Sequence, residues 1–210
     1  MYTALRATSQ TLAAYIRQRL EADPNLAPFF TSGSGGNMVV SLNTPQEMAH
    51  QNTPQQGMSV WLYRVIRDEQ RLNTPPERLG PNQLRYPPLP LCLHYLVTPV
   101  IDRNGNRAGP EVEQTVLGKV LQIFHDHPRL RGTDLRDDFS GTTVELHVRL
   151  EPLTLEEITR IWEGLHSSYQ LSVSYEVSVV NIASAMESES ISPVFTALPE
   201  YGVIVSAETP

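Results

Sequence analysis

The 210-residue sequence has a single cysteine, no cluster of basic residues and no long apolar run. One thiol, Cys92, closes no disulfide within the chain and completes no multi-cysteine zinc module. Both scaffolds are therefore excluded, and a reducing site of synthesis is expected. Sixteen lysines and arginines stand against 23 aspartates and glutamates, a net charge of −7. Nucleic-acid binding relies on clustered cations that release counterions, so no nucleic-acid partner is expected. No stretch approaches the roughly 20 apolar residues of a bilayer span. The first 20 residues interleave Arg and Gln with their apolar positions, unlike a signal peptide. The expectation is a soluble, cytoplasmically made protein without a membrane partner.

Proline, by contrast, is plentiful, with 17 copies. It fixes φ and removes a hydrogen-bond donor, which predicts long, stiff connections and argues against an all-α bundle. Leu5, Leu12, Tyr15, Ile16 and Leu20 recur at helical spacing and predict a first helix over residues 3–20. Residues 21–57 read as loops around one strand at Met38, Val39, Val40 and Leu42. A second strand starts at Ser59 and turns polar after Ile66. Five prolines between residues 72 and 88 predict an extended loop. LPLCLHYLVTPV, residues 89–100, is apolar on both faces at period two, as in a buried central strand.

Val112, Val116, Val120, Ile123, Phe124 and His127 form a helical stripe that Pro128 ends, predicting a second helix over residues 111–127. Val144, Leu146, Val148 and Leu150 alternate with Glu145, His147 and Arg149 as a strand with one wet face. Thr154 and Glu157 form a capping box, and Leu155, Ile158, Ile161, Trp162 and Leu165 trace the apolar face of a third helix. Leu171, Val173, Tyr175, Val177 and Val179 are expected inward on a last strand. The final 30 residues lose periodicity, apart from Tyr201 to Val205. The sum is an α+β fold, a mostly antiparallel sheet flanked by about three helices. It is expected to comprise a domain over residues 1–180 and a C-terminal tail or arm over 181–210.

No catalytic, cofactor-binding or metal-ligating set assembles from these residues. His125, Asp126 and His127 are the most enzyme-like, yet residues i and i+2 of a helix point about 200° apart. Two histidines at a helix C-terminus are explained by the negative end of its dipole. His94 and His147 share no supporting spacing. Cys92 lacks a basic neighbour and reads as a packed, inert thiol. The Gly-rich stretch TSGSGGN lacks the Lys and Ser/Thr of a phosphate loop. Glu156 and Glu157 suit a helix first turn. Trp61 and Tyr63 fit a core or an interface, with strand placement favouring core for Trp61.

Five ordered blocks carry more information than any site: SVWLYRV, PPLPLCLHYLVTP, LQIFHDHP, RLEPLTLEEITRIW and YQLSVSYEV. Together, over about Ser59 to Val180, they resemble the N-terminal domain family of cap proteins from phage-tail-like extracellular contractile injection systems. The resemblance rests on Trp61, Tyr63, His94, Tyr95, His125, His127, Pro128, Glu156, Glu157, Trp162, Tyr175 and Glu176, among others. It implies a tail-terminator-like fold and a structural cap, not an enzyme, with no cofactor. The cap would be a homohexameric ring at the distal end of the particle, bound to the inner tube protein and the sheath protein. It would end their polymerisation and stabilise the extended sheath. Assembly in the cytoplasm within a particle that is later released would follow. The alternatives are another assembly component, such as a tube initiator or baseplate adaptor, and a small metal-dependent enzyme using His125, Asp126 and His127.

Overall fold

The computed structural model describes residues 2–31, 36–50, 54–72, 75–80, 82–101, 109–186 and 189–190. The chain divides into two compact units, residues 1–73 with 88–183, and residues 74–87 with 184–210.

The first unit is built on a six-stranded sheet. Its strands are β1 (Met38–Ser41), β2 (Gln56–Arg67), β5 (Leu89–Val100), β6 (Arg129–Arg131), β7 (Glu145–Glu151) and β8 (Val173–Ile182), in the order β1-β2-β5-β8-β7-β6. All neighbours are antiparallel except β1 and β2, which run parallel. The expected α+β class with a mostly antiparallel sheet is the one the chain adopts.

Two long helices, α1 (Ala4–Glu21) and α4 (Pro110–Asp126), cover one face of this sheet. Leu12 and Ile16 of α1 and Val116, Val120 and Phe124 of α4 join Leu93, Tyr95 and Val97 of β5 in one core. Ser9 of α1 and the Tyr95 hydroxyl share a buried hydrogen bond of 2.8 Å, so the helix is tied to the central strand by more than apolar burial. Lys119 of α4 reaches Asp23 just beyond α1 at 2.9 Å. The third expected helix, α5 (Leu155–Gly164), lies on the opposite face. There Ile158, Trp162 and Leu165 pack with Leu96, Trp61 and Tyr63. Leu155, expected on the buried stripe, is instead 71% exposed. It is the first helical residue, N-terminal to the turns that meet the sheet.

Two further helices, α2 (Ala27–Phe30) and α3 (Pro45–His50), bring the total among the described residues to five. At four and six residues they are too short to show a periodic stripe. A shorter signal does mark α3: Glu47 accepts from the Thr44 N–H at 2.9 Å while Thr44 Oγ1 accepts from the Glu47 N–H at 3.1 Å. This is a reciprocal capping box.

The last strand departs from simple alternation. Leu91 pairs with Val180 but Leu93 pairs with Val177, so β8 carries one extra residue between them. A bulge of this kind changes the phase of the side chains. Val180, a position that plain alternation from Val177 does not place inward, is fully buried beside Val177. The strand also continues to Ile182, past the boundary expected at residue 180.

In the second unit, β3 (Glu77–Gly80), β4 (Gln83–Arg85) and β9 (Glu189–Ser190) form a three-stranded sheet in the order β3-β4-β9. The segment 72–88, expected as an extended loop, thus holds a hairpin. Its prolines fall at residues 75, 76, 81, 87 and 88, between and beside the strands, so no ladder position loses its donor. The late strand expected at Tyr201 to Val205 lies outside the described residues, as do residues 32–35 of the Gly-rich stretch and residues 102–108.

Candidate functional site

The sheet face under α5 is polar in rows. β-Strand neighbours place Arg149 opposite Glu176, Glu176 opposite His94, and His94 opposite Arg64, one residue from each of β7, β8, β5 and β2. The next row places Glu151 opposite Ser174 and Ser174 opposite Leu96. Tyr63 is the extra residue of a bulge in β2, where Leu62 pairs with Tyr95 but Arg64 with His94. The bulge turns the Tyr63 ring onto this same face.

Glu151 is the hub of these rows. Its Oε2 accepts from Ser174 Oγ at 2.6 Å, from His94 Nδ1 at 3.0 Å and from the Tyr63 hydroxyl at 3.2 Å. Tyr63 and Ser174 are also 2.9 Å apart, oxygen to oxygen. Burial pushes the Glu151 carboxyl upward, but the bonds from Ser174, His94 and Tyr63 and the imidazole charge outweigh it and hold the group below its ordinary value. Burial pushes the Tyr63 phenol up to about 12. The cluster joins four consecutive strands, β2, β5, β8 and β7, through one carboxylate.

This geometry holds strands; it does not assemble a nucleophile. Ser174 bonds to the carboxylate directly, and among the described residues no hydroxyl is bonded to a histidine ring. A hydrolase relay needs the imidazole between hydroxyl and acid. His147, considered with His94 above, belongs elsewhere, with its Nε2 2.8 Å from Glu145 Oε1. His125 and Asp126 are exposed at the end of α4, and exposed His127 caps that helix, its ring edge-on to Tyr15. Among the described residues no group of three or more His, Cys, Asp or Glu side chains is arranged to hold a metal ion. Cys92 is buried, and burial pushes its thiol up to about 11, away from the nucleophilic thiolate. Glu157 closes the capping box on Thr154 and Glu156 pairs with Arg160. Trp61 is half-buried against the Trp162 cluster.

Two surfaces remain open around the sheet. Beyond α5 the polar face forms a concavity of about 960 Å3, with Arg64, Arg67, Arg129 and Arg149 among its lining. Between α4 and β7 lies an apolar groove of about 670 Å3, lined by Leu121, Phe124, Val148, Leu150 and Tyr175. Leu150, expected inward from its alternation, is 50% exposed in this groove. The three-residue strand β6 ends at its pairing with His147 and does not extend alongside Leu150.

The Glu151 cluster was not legible in the sequence. Its residues lie at polar positions of period-two strands, and only the strand order brings those positions together. The signal was present in the rows Glu145-His147-Arg149-Glu151 and Ser172-Ser174-Glu176-Ser178, but not the adjacency of the strands that carry them.

The model of the Pvc16 N-terminal domain matches residues 7–196. No curated protein matches the sequence. Among solved structures, the chain is similar to the sheath/tube terminator of the PVC extracellular contractile injection system in its extended state, with a TM-score of 0.58 and 16% identity. That match covers 96% of this chain and 64% of the terminator chain. It is also similar to the tube-terminating cap of the anti-feeding prophage, with a TM-score of 0.56 and 18% identity over 96% of this chain and 61% of that one. At these identities the two structures show a shared fold, and the present chain spans under two thirds of the length of each.

Proposed function

Since the chain belongs to the Pvc16 N-terminal domain family, we propose that it is a structural cap of a contractile injection particle, ending tube and sheath polymerisation and stabilising the extended sheath. The observation that carries this reading is the match of nearly the whole chain to two terminator structures. The cap acts as a homohexameric ring at the distal end, with the inner tube protein and the sheath protein as its partners. It works by contact and not by catalysis, in keeping with a central polar cluster that braces strands. Neither nucleic acid nor a membrane is a partner. A net charge of −7 supports the first exclusion, and no described helix is long and apolar enough to cross a membrane. The ring assembles in the cytoplasm and leaves it within the finished particle.

Ring closure uses heterologous contacts, in which each copy offers two different surfaces. Residues 72–88 and 181–210 serve as the arms that make them, and the clustering of residues 74–87 and 184–210 into a compact unit of their own supports this use. Electron microscopy of particles from cells with and without the gene tests the function. Ragged, overlong or sheathless tubes are expected on deletion. Particles of normal length with both ends intact would overturn the cap in favour of an initiator or baseplate adaptor.

A further inference from the structure

Beside Leu150 an apolar groove and an unused strand edge coincide. Phe124 and Tyr175, their rings 4.9 Å apart, line the groove of about 670 Å3 together with Leu121, Val148 and Leu150. The Val148 N–H donates to the Pro128 carbonyl at 2.8 Å, on the side of β7 that faces β6. Alternate residues of an antiparallel strand turn their backbone groups to the same side, so Leu150 turns its N–H and C=O outward as Val148 does. There β6 has no residue, and among the described residues neither group of Leu150 has a partner. Pro152, without an N–H, ends the edge two residues on. The site therefore suits a short extended segment that meets Leu150 through its backbone and fills the groove with apolar side chains. No carboxylate lines the groove, whereas His125 and Arg149 do.

The chain contains such a segment. Residues 191–207 hold a single charge, Glu200, among Val194, Phe195, Leu198, Val203, Ile204 and Val205. Within them Tyr201 to Val205 is rich in β-branched residues, with Tyr201, Val203 and Val205 at period two. So apolar a stretch calls for a cover, and its one carboxylate finds cations and no anion at the groove. The last described strand ends at Ser190. From there the chain reaches Tyr201 over about 35 Å when extended, against a radius of gyration of about 16 Å for a unit of this size. That span is enough to leave one subunit for the next.

We propose that the groove between α4 and β7 of one copy receives the segment Tyr201 to Val205 of a second copy, which adds beside Leu150 and closes the ring head to tail. The inference rests on the ring reading above and names the two surfaces that ring would use. Each copy offers a groove and a segment, two different surfaces, as heterologous closure requires. Burial of Leu150 and of the segment's valines supplies the driving force, and the backbone groups of Leu150 fix the register.

The test uses the full chain, with assembly read by native mass spectrometry and sedimentation, alone and with purified tube. Leu150→Glu alters a half-exposed side chain, so a melting curve close to wild type is expected. Association should weaken by about tenfold or more, because docking would now bury a charge among apolar groups. Val203→Glu should do the same from the other side of the contact, and Leu150→Val should assemble like wild type. Cross-linking reads the contact directly, since the only native thiol, Cys92, is buried. Copies carrying Leu150→Cys, assembled with copies carrying Val203→Cys or Val205→Cys and mildly oxidised, should give a covalent dimer. Rings that yield no such dimer, or a Leu150→Glu chain that assembles like wild type, would overturn the inference while leaving the ring intact. So would a chain carrying both cysteines that closes its disulfide within one copy. A wild-type chain that forms no ring even on tube would overturn the ring reading and this inference together.

Discussion

His94 and Glu151, 57 positions apart in the chain, meet at 3.0 Å on the face of the sheet that α5 covers. The imidazole is 2% exposed, and the carboxylate that accepts its proton also accepts from Ser174 and Tyr63. One acceptor thus satisfies donors from three strands. Removing it takes the acceptor from His94 and leaves Tyr63 and Ser174 only the bond to each other, and each unsatisfied buried group costs about 1–3 kcal/mol. Glu151→Ala should therefore lower unfolding stability in urea by about 3 kcal/mol, a sum cut below additivity because side chains relax. Tyr63→Phe removes one donor and leaves the Ser174 and His94 bonds in place, so it should cost only about 1 kcal/mol. Equal effects for the two variants would show that the carboxylate is not the hub.

The same carboxylate predicts acid sensitivity. Glu151 is held below the ordinary value of 4.5 in the fold, so the folded state binds its proton less readily than the unfolded state. Its contribution is fully present above the unfolded value and is lost as pH falls through the folded one. Asp23, bonded by Lys119, Glu145, bonded by His147, and Glu157, bonded by the Thr154 N–H, are lowered too and act in the same direction. Wild-type stability should accordingly decline below about pH 5. The difference between wild type and Glu151→Gln isolates the hub: it should shrink as pH falls toward 3. A difference that stays constant from pH 7 to 3 would remove Glu151 from the acid response.

What the sequence disclosed follows from which interactions are local. The stripe from Leu12 to Leu20 and the Thr154–Glu157 box specify α1 and α5 within a few turns, and the doubly apolar run at Leu89 to Val100 could only be a central strand. The burial of Val180 depends on a bulge set by pairing with β5, a non-local event. The hairpin between residues 77 and 85 was hidden by its prolines, whose count suggested a loop although their positions spare every ladder bond. The Glu151 cluster needed the strand order itself. No arrangement of β2, β5, β8 and β7 other than the one adopted would bring Tyr63, His94, Ser174 and Glu151 to one face side by side.

Gly57 sits where β1 and β2 run parallel, opposite Val39, with φ +134°. A Cβ there would fall on the backbone carbonyl oxygen and nitrogen of Val39. The backbone conformation and the close approach each demand glycine. Gly57→Ala should cost about 3 kcal/mol or more, and it should release the edge strand first, since among the described residues β1 pairs with β2 alone. Limited proteolysis checks this, with earlier cleavage expected around residues 38–41. An alanine variant as stable and as resistant as wild type would mean that β1 does not pair in this register.

The arm proposed for ring closure is best separated from the fold by a cut placed with care. Asn181 and Ile182 pair with Pro90 and Leu89, so a chain ending at residue 180 would lose the last two rungs between β8 and the central strand. It would confound assembly with folding. A chain ending at Met186 keeps every rung of the six-stranded sheet and loses β9 with all that follows. Its melting temperature should lie close to wild type, because Leu93, Tyr95, Val177 and Val180 and the helices packed on them are untouched. Its particles should nevertheless lack defined ends. Normal length and an attached sheath in particles carrying the shortened chain would show that the segment after residue 186 contributes nothing to capping. The contacts that close the ring would then have to come from the sheet unit itself.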